Sequence, residues 1–142
     1  MSFRNAPIKL GAALGVVALA VVMVSAPASA STVSHGSTGI RIVAQGQTVN
    51  GGWVEYTVDG TSSGFGAQAV EKVGGGIWAY GATFNAAGQK VCYSQYEHTK
   101  VAHGSSVQMN GQYHSDWVGA GYVSNARLAE HTSATCKTYW RK

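Results

Sequence analysis

Glycine recurs so densely after residue 30 that no long helix can be written through the rest of this chain. All but two of the 19 glycines, Gly11 and Gly15, lie beyond Ala30, and both prolines, Pro7 and Pro27, lie before it. A glycine in a helix interior costs about 1 kcal/mol relative to alanine, and it suits turns and close backbone contacts. Thr, Val, Ser and Tyr, which favour strands, fill most of the remainder. Alternation supports the same reading. Val54, Tyr56 and Val58 share one face of a strand, and Trp53, Glu55 and Thr57 share the other. The expected strands are residues 40–44, 53–58, 67–73, 77–84, 89–96, 105–109, 116–123 and 128–140. Turn chemistry separates several of them: Gln45 to Gly52 with Asn50-Gly51-Gly52, Asp59-Gly60, Asn85-Ala86-Ala87-Gly88 and Asn110-Gly111. Many short strands without an amphipathic helix imply an all-β fold, a small antiparallel β-sandwich.

The first thirty residues read differently. Arg4 and Lys9 form a basic start, Leu10 to Val24 is uncharged and apolar, and Ala28-Ser29-Ala30 supplies small residues for a peptidase. This is the three-part pattern of a secretory signal peptide, cleaved at Ala30/Ser31, so the mature protein is expected to be extracellular. The apolar run is shorter than the ~20 residues of a comfortable membrane span. Ten Lys and Arg stand against six Asp and Glu, and losing Arg4 and Lys9 leaves a balance of +2. That balance argues against nucleic acid as a partner and against stable membrane insertion.

Cys92 and Cys136 are the only cysteines, and an exported chain with an even count reads as one disulfide. Loop entropy assigns such a bridge about 4 kcal/mol. In the last strand Thr132, Ala134, Cys136, Thr138 and Trp140 share a face, and Cys92 shares a face with Tyr96. The bridge is therefore expected inside the sandwich or at its rim, beside Tyr96 and Trp140.

The densest chemistry lies in Gly75-Gly76-Ile77-Trp78-Ala79-Tyr80-Gly81, then Tyr93-Ser94-Gln95-Tyr96-Glu97-His98, then His103 with Ser106-Val107. In this order the segment resembles the lactococcin-972 family of secreted bacteriocins, with Tyr139-Trp140 matching the family's closing aromatic pair. Trp117 and Ala120 fit a looser middle segment. The resemblance covers roughly residues 75 to 140. It implies a β-sandwich, export, and action on other Gram-positive bacteria through the cell-wall precursor lipid II, which blocks septum formation without pores. It also implies a homodimer. Relative to the family's founding member, this chain adds residues 31–73 and the cysteine pair. The organisation expected is thus a signal peptide (1–30), an N-terminal β extension (31–73) and a lactococcin-972-like sandwich (74–142).

Each candidate group has a structural reading beside the functional one. Trp78, Tyr80, Tyr93, Tyr96, His98 and His103 form the expected ligand-binding set, with the tyrosines as platforms for sugar or lipid. Core and cross-strand packing is nevertheless the role expected of most of the chain's tryptophans and tyrosines. Lys90, Lys100 and Arg127 are candidate charges for a pyrophosphate, helped by the N–H groups of Gly74-Gly75-Gly76. His98 and His103 are five residues apart and fall on opposite faces of a straight strand. A metal would need a turn between them and a third ligand from His114, His131 or a carboxylate, so no metal and no cofactor is expected. The acids Glu55, Asp59, Glu71, Glu97, Asp116 and Glu130 form no recognisable catalytic motif, and neither does Ser94 with His98, so no enzyme is expected. The leading function is a bacteriocin directed at lipid II or another wall precursor. A non-toxic binding module for wall carbohydrate or a surface partner is the alternative.

Overall fold

The computed structural model describes residues 39–59 and 66–142. The expected signal peptide, its cleavage site and Gly60 of the Asp-Gly turn lie outside the described residues. Among the described residues there are nine strands: β1 (Ile40–Gln47), β2 (Gly51–Val58), β3 (Ala67–Val73), β4 (Gly76–Phe84), β5 (Lys90–Glu97), β6 (His103–Met109), β7 (Gln112–Val118), β8 (Val123–Glu130) and β9 (Cys136–Arg141). They form two antiparallel sheets, ordered β1-β2-β9-β6-β7 and β3-β4-β5-β8. This is the all-β sandwich expected from the sequence.

Hairpins within each sheet use the turn residues their geometry demands. Gly74 and Gly75 between β3 and β4 both have positive φ, as do Asn110 and Gly111 between β6 and β7. Positive φ at both central residues marks the turn type whose twist matches that of the flanking strands. Between β4 and β5, Asn85 Oδ1 accepts hydrogen bonds from Ala87 N and Gln89 N, which sets the five-residue loop.

The inner faces pack Val54, Tyr56, Val107, Met109, Cys136 and Trp140 of the five-stranded sheet against Trp78, Tyr80, Ala82, Cys92, Tyr96 and Ala126 of the other. Burying large side chains of this kind contributes about 1.5–3 kcal/mol each. The disulfide Cys92–Cys136 crosses the core between β5 and β9, with both cysteines fully buried and Cα atoms 5.8 Å apart. Tyr96 and Trp140 lie on the same two strands four residues further along, with ring centroids 5.1 Å apart. Bridge and ring pair therefore share the interior, as expected, at separate levels of it.

Three expectations about strands are corrected. Residues 116–123 are not one strand: β7 ends at Val118, the chain turns through Gly121 at φ 83°, and β8 starts at Val123 in the opposite sheet. Residues 128–140 are likewise divided, because β8 ends at Glu130 and β9 begins at Cys136. Thr132 and Ala134 therefore precede the strand whose face they were expected to share; Thr132 Oγ1 instead accepts a hydrogen bond from Ala134 N. The first turn is shorter than expected, since β1 runs through Gln47 and β2 resumes at Gly51.

Residues before 74 are woven into both sheets. β2 pairs with β9 from Gly51↔Arg141 to Tyr56↔Cys136, and β3 pairs with β4 from Ala67↔Ala82 to Val73↔Gly76. The line at residue 73/74 falls at the start of the β3–β4 turn.

Candidate functional site

The Gly, Trp, Tyr and His residues of residues 75–107 meet at the centre and one end of the sandwich. Trp78 and Tyr80 alternate onto the inner face of β4, their rings 4.4 Å apart. Trp78 Nε1 donates to Ser94 Oγ, which donates to the Tyr139 carbonyl. Ser94 thus spans the two sheets, and its partners do not include His98. Tyr80 OH donates to Glu71 Oε1, and Tyr96 OH donates to the Val73 carbonyl. Burial pushes the Tyr80 phenol up, and the Glu71 carboxylate that accepts its hydrogen bond pushes it further. Burial also raises Tyr56, Tyr93 and Tyr96.

The glycines of the segment give these rings their room. A Cβ on Gly74 would lie 2.3 Å from the Trp140 ring, and one on Gly76 would lie 2.2 Å from the Glu97 carbonyl and 2.8 Å from the Tyr96 ring. His98 Nδ1 accepts from Lys100 N and Val101 N, so its ring proton sits on Nε2. His103 is fully buried, with Nδ1 2.8 Å from the Val101 carbonyl and Nε2 2.8 Å from the Tyr122 carbonyl. It ties the β5–β6 crossing to the β7–β8 crossing. The two imidazoles are 6.2 Å apart, and among the described residues no three His, Cys, Asp or Glu side chains gather as a metal set.

All six residues of the expected ligand set are therefore buried: Trp78, Tyr80, Tyr93, Tyr96, His98 and His103. Five belong to the core or its end. Tyr93 is on the outer face of the four-stranded sheet, where its hydroxyl reaches over Gly81 and the Arg127 guanidinium lies 5.7 Å from its centroid. Lys90 does not join Gly74–Gly76 at a pyrophosphate site. It is buried at the opposite end of the sheet, beside Phe84 in the register, and donates to the Ala134 carbonyl. Desolvation lowers its ammonium pKa. Gly75, Gly76, Lys72 and Glu97 instead line an open cleft of about 440 Å³.

Exposed aromatic surface lies elsewhere. Tyr113 and Trp117 are more than half exposed, and Trp53 and Tyr139 are half-buried. All four point outward from the five-stranded sheet. The register places Trp53 opposite Tyr139, Tyr139 opposite Ser106, Ser106 opposite Ser115, Gln108 opposite Tyr113 and Gly104 opposite Trp117. Each indole lies across a glycine of the neighbouring strand: a Cβ on Gly46 would meet Trp53 at 2.7 Å, and one on Gly104 would meet Trp117 at 2.6 Å. The rings are thereby laid along the sheet.

Two cations complete this face. Lys137 Nζ is 4.2 Å from the Trp53 ring centroid and the Arg141 guanidinium is 5.1 Å from that of Trp117. Tyr113 OH donates to Ser106 Oγ and Tyr139 OH to Gln108 Oε1, which orients both phenols. A flat array of rings interleaved with cations and small residues suits saccharides and their phosphates. Period-2 alternation carried part of this signal, since a buried Trp140 beside Cys136 and Thr138 turns Tyr139 outward. The strand boundary that exposes Trp117 did not show in the sequence.

The family model described as Bacteriocin (Lactococcin_972) matches residues 74–140, a little under half of the chain. Residues 74–140 are thus similar to the lactococcin-972 bacteriocin family. The matched segment runs from the β3–β4 turn to Trp140 and includes Tyr113, Trp117 and Tyr139; Trp53 is supplied from outside it. No curated protein and no solved structure gives a significant match. The family suggests a bacteriocin, with the secretion and generally non-enzymatic action that this implies. Among the described residues no helix is long and apolar enough to cross a membrane.

Proposed function

We propose that this protein is a secreted bacteriocin that binds the wall precursor lipid II of other Gram-positive bacteria and blocks septum formation. The match of residues 74–140 to the lactococcin-972 family carries the reading. The outer face of the five-stranded sheet supports it: lipid II presents sugars and a pyrophosphate, and this face offers rings with Lys137 and Arg141 beside them. Arg141 is the better placed for phosphate oxygens, since its planar fork can pair with two of them while it rests on Trp117. A mature charge of +2 and an all-strand architecture give little means of disrupting a bilayer.

Purified mature protein spotted on lawns of Gram-positive indicators should clear them, and lipid II in molar excess should protect the cells. Treated cells should elongate without early uptake of a membrane-impermeant dye. Depolarisation before growth arrest, or killing undiminished by excess lipid II, would overturn the mechanism. Binding to walls with no growth inhibition in any indicator would favour a non-toxic carbohydrate-binding module, which the same ring array would serve.

A further inference from the structure

The ring array has two ends of different chemistry. At one end Arg141 lies over Trp117. At the other, near the β6–β7 turn, a cleft of about 310 Å³ is lined by Glu55, Gln108, Thr135 and Lys137. Trp53 adjoins Lys137 on one side, and Tyr113 is the register partner of Gln108 on the other. We infer that this cleft is a subsite for an uncharged pyranose of a glycan, separate from any group that holds phosphate. The inference rests on this face being the ligand face and not on lipid II being the ligand.

The polar groups decide the ligand class. Glu55 Oε1 accepts a hydrogen bond from Thr135 Oγ1, which fixes the carboxylate and leaves its second oxygen free to accept. Gln108 Oε1 accepts from Tyr139 OH, so the Gln108 amide group is left to donate. Lys137 stands opposite Glu55 in the register, yet its ammonium is turned over the Trp53 ring. Glu55 and Lys137 cancel in charge, so the cleft presents one acceptor and two donors with no net charge. The oxygens of a pyrophosphate esterified at both ends only accept at neutral pH, and they would meet the Glu55 carboxylate as a like charge. A sugar hydroxyl both donates and accepts, and one ring carries several hydroxyls. Neighbouring hydroxyls can donate to Glu55 while accepting from Gln108 and Lys137.

The apolar part of the site fits the same ligand. Trp53 is braced against Gly46, and an indole held along the sheet is a platform for the C–H face of a pyranose. Lys137 is held there by a cation–π contact at a partly exposed position, a weak restraint that a ligand can displace. The volume is at the low end of ligand cavities, about 300–1,000 Å³, which suits one or two sugar rings and not a large ligand.

The test uses the full mature protein with chitotetraose, an uncharged N-acetylglucosamine oligomer, followed by tryptophan fluorescence and by the Trp53 indole N–H in heteronuclear NMR. Chitotetraose should shift the Trp53 signal saturably at low millimolar concentration, and sodium pyrophosphate should not displace it. Glu55→Gln keeps the shape but loses the charge-assisted acceptor, and should weaken binding about tenfold. Gln108→Ala, at an exposed position, should weaken it about fivefold. Val70→Ala, exposed on the four-stranded sheet, should leave chitotetraose binding unchanged. Thermal melts of each variant separate loss of binding from loss of fold. The inference is overturned if chitotetraose gives no shift by about 10 mM, the weak end of measurable affinity. It is overturned equally if Glu55→Gln and Gln108→Ala, still folded, bind as the parent does, or if pyrophosphate competes. If chitotetraose binds as described while lipid II fails to protect cells, the subsite stands and the lipid II reading falls. If lipid II protects and chitotetraose does not bind, the subsite falls alone.

Discussion

Rings and glycines are matched residue by residue in this sandwich, and the match explains why the aromatic segment has the order it has. Gly74 combines two constraints. Its φ of 58° is a conformation other residues rarely adopt, and the Trp140 ring occupies the place of a Cβ. Gly88 has φ of 74° in a turn with nothing within 4 Å of a Cβ. Both positions carry the cost of left-handed backbone, but only the first adds a collision inside a packed core. Gly74→Ala should therefore lose about 2–3 kcal/mol in urea unfolding, and Gly88→Ala about 1 kcal/mol. Equal losses would mean that the Trp140 contact is easily relieved. The positions of Trp78, Tyr80, Tyr93, Tyr96, His98 and His103 were legible in the sequence as a constellation. Their burial was not, because glycines beside rings serve equally well for a binding platform and for tight packing. What separates the two is which sheet covers the rings, and that depends on strand pairings far apart in sequence.

At the scale of elements, most hairpins were readable because their turns require particular residues. Asn110-Gly111 and Gly74-Gly75 left little choice of geometry. The sheet-changing connections at 119–122 and 131–135 were harder. Neither Gly-Ala-Gly-Tyr nor His-Thr-Ser-Ala-Thr contains a hairpin dipeptide such as Asn-Gly, so nothing in the sequence divided β7 from β8 or β8 from β9. The disulfide was readable from its count and compartment, although its place in the topology was not. It links β5 to β9 and so joins the two sheets at their middle strands. Loop entropy for a separation of 44 residues amounts to about 4 kcal/mol. Replacing both cysteines by alanine should cost about 2–5 kcal/mol. Reducing agent should lower the melting temperature of the parent and leave the double variant unchanged. A parent insensitive to reductant, with the bridge shown by mass to be open, would show that core packing alone holds the sheets. The β1–β2 hairpin has a second role at this scale: it pairs along β9, which would otherwise be a sheet edge, and brings Trp53 onto the ring face.

Across the whole molecule, four of the seven tyrosines are buried with phenols raised above their ordinary value, namely Tyr56, Tyr80, Tyr93 and Tyr96. Desolvation is the largest cause for each, because a phenolate in the core lacks the water that would stabilise it. A folded-state pKa above the unfolded value of about 10 means that the native state keeps its proton where the unfolded chain releases it. The stability from these groups is complete below about pH 10 and falls above it, by about 1.4 kcal/mol per pH unit for each tyrosine that stays protonated. Lys90 works in the opposite sense. Burial lowers its pKa, so the unfolded chain binds the extra proton, and stability gains from rising pH until the unfolded lysine titrates near 10.4. One lysine against four tyrosines leaves a steep net loss in the alkaline range. Urea midpoints should change little up to about pH 9 and drop sharply between about pH 10 and 11, and absorbance at 295 nm should show four tyrosines ionising only as the fold is lost. Lys90→Met should remove the opposing contribution and leave the alkaline drop in place. Gradual ionisation of all seven tyrosines in a protein that stays folded would show that the phenols have access to water, and the packed core described here would then be wrong.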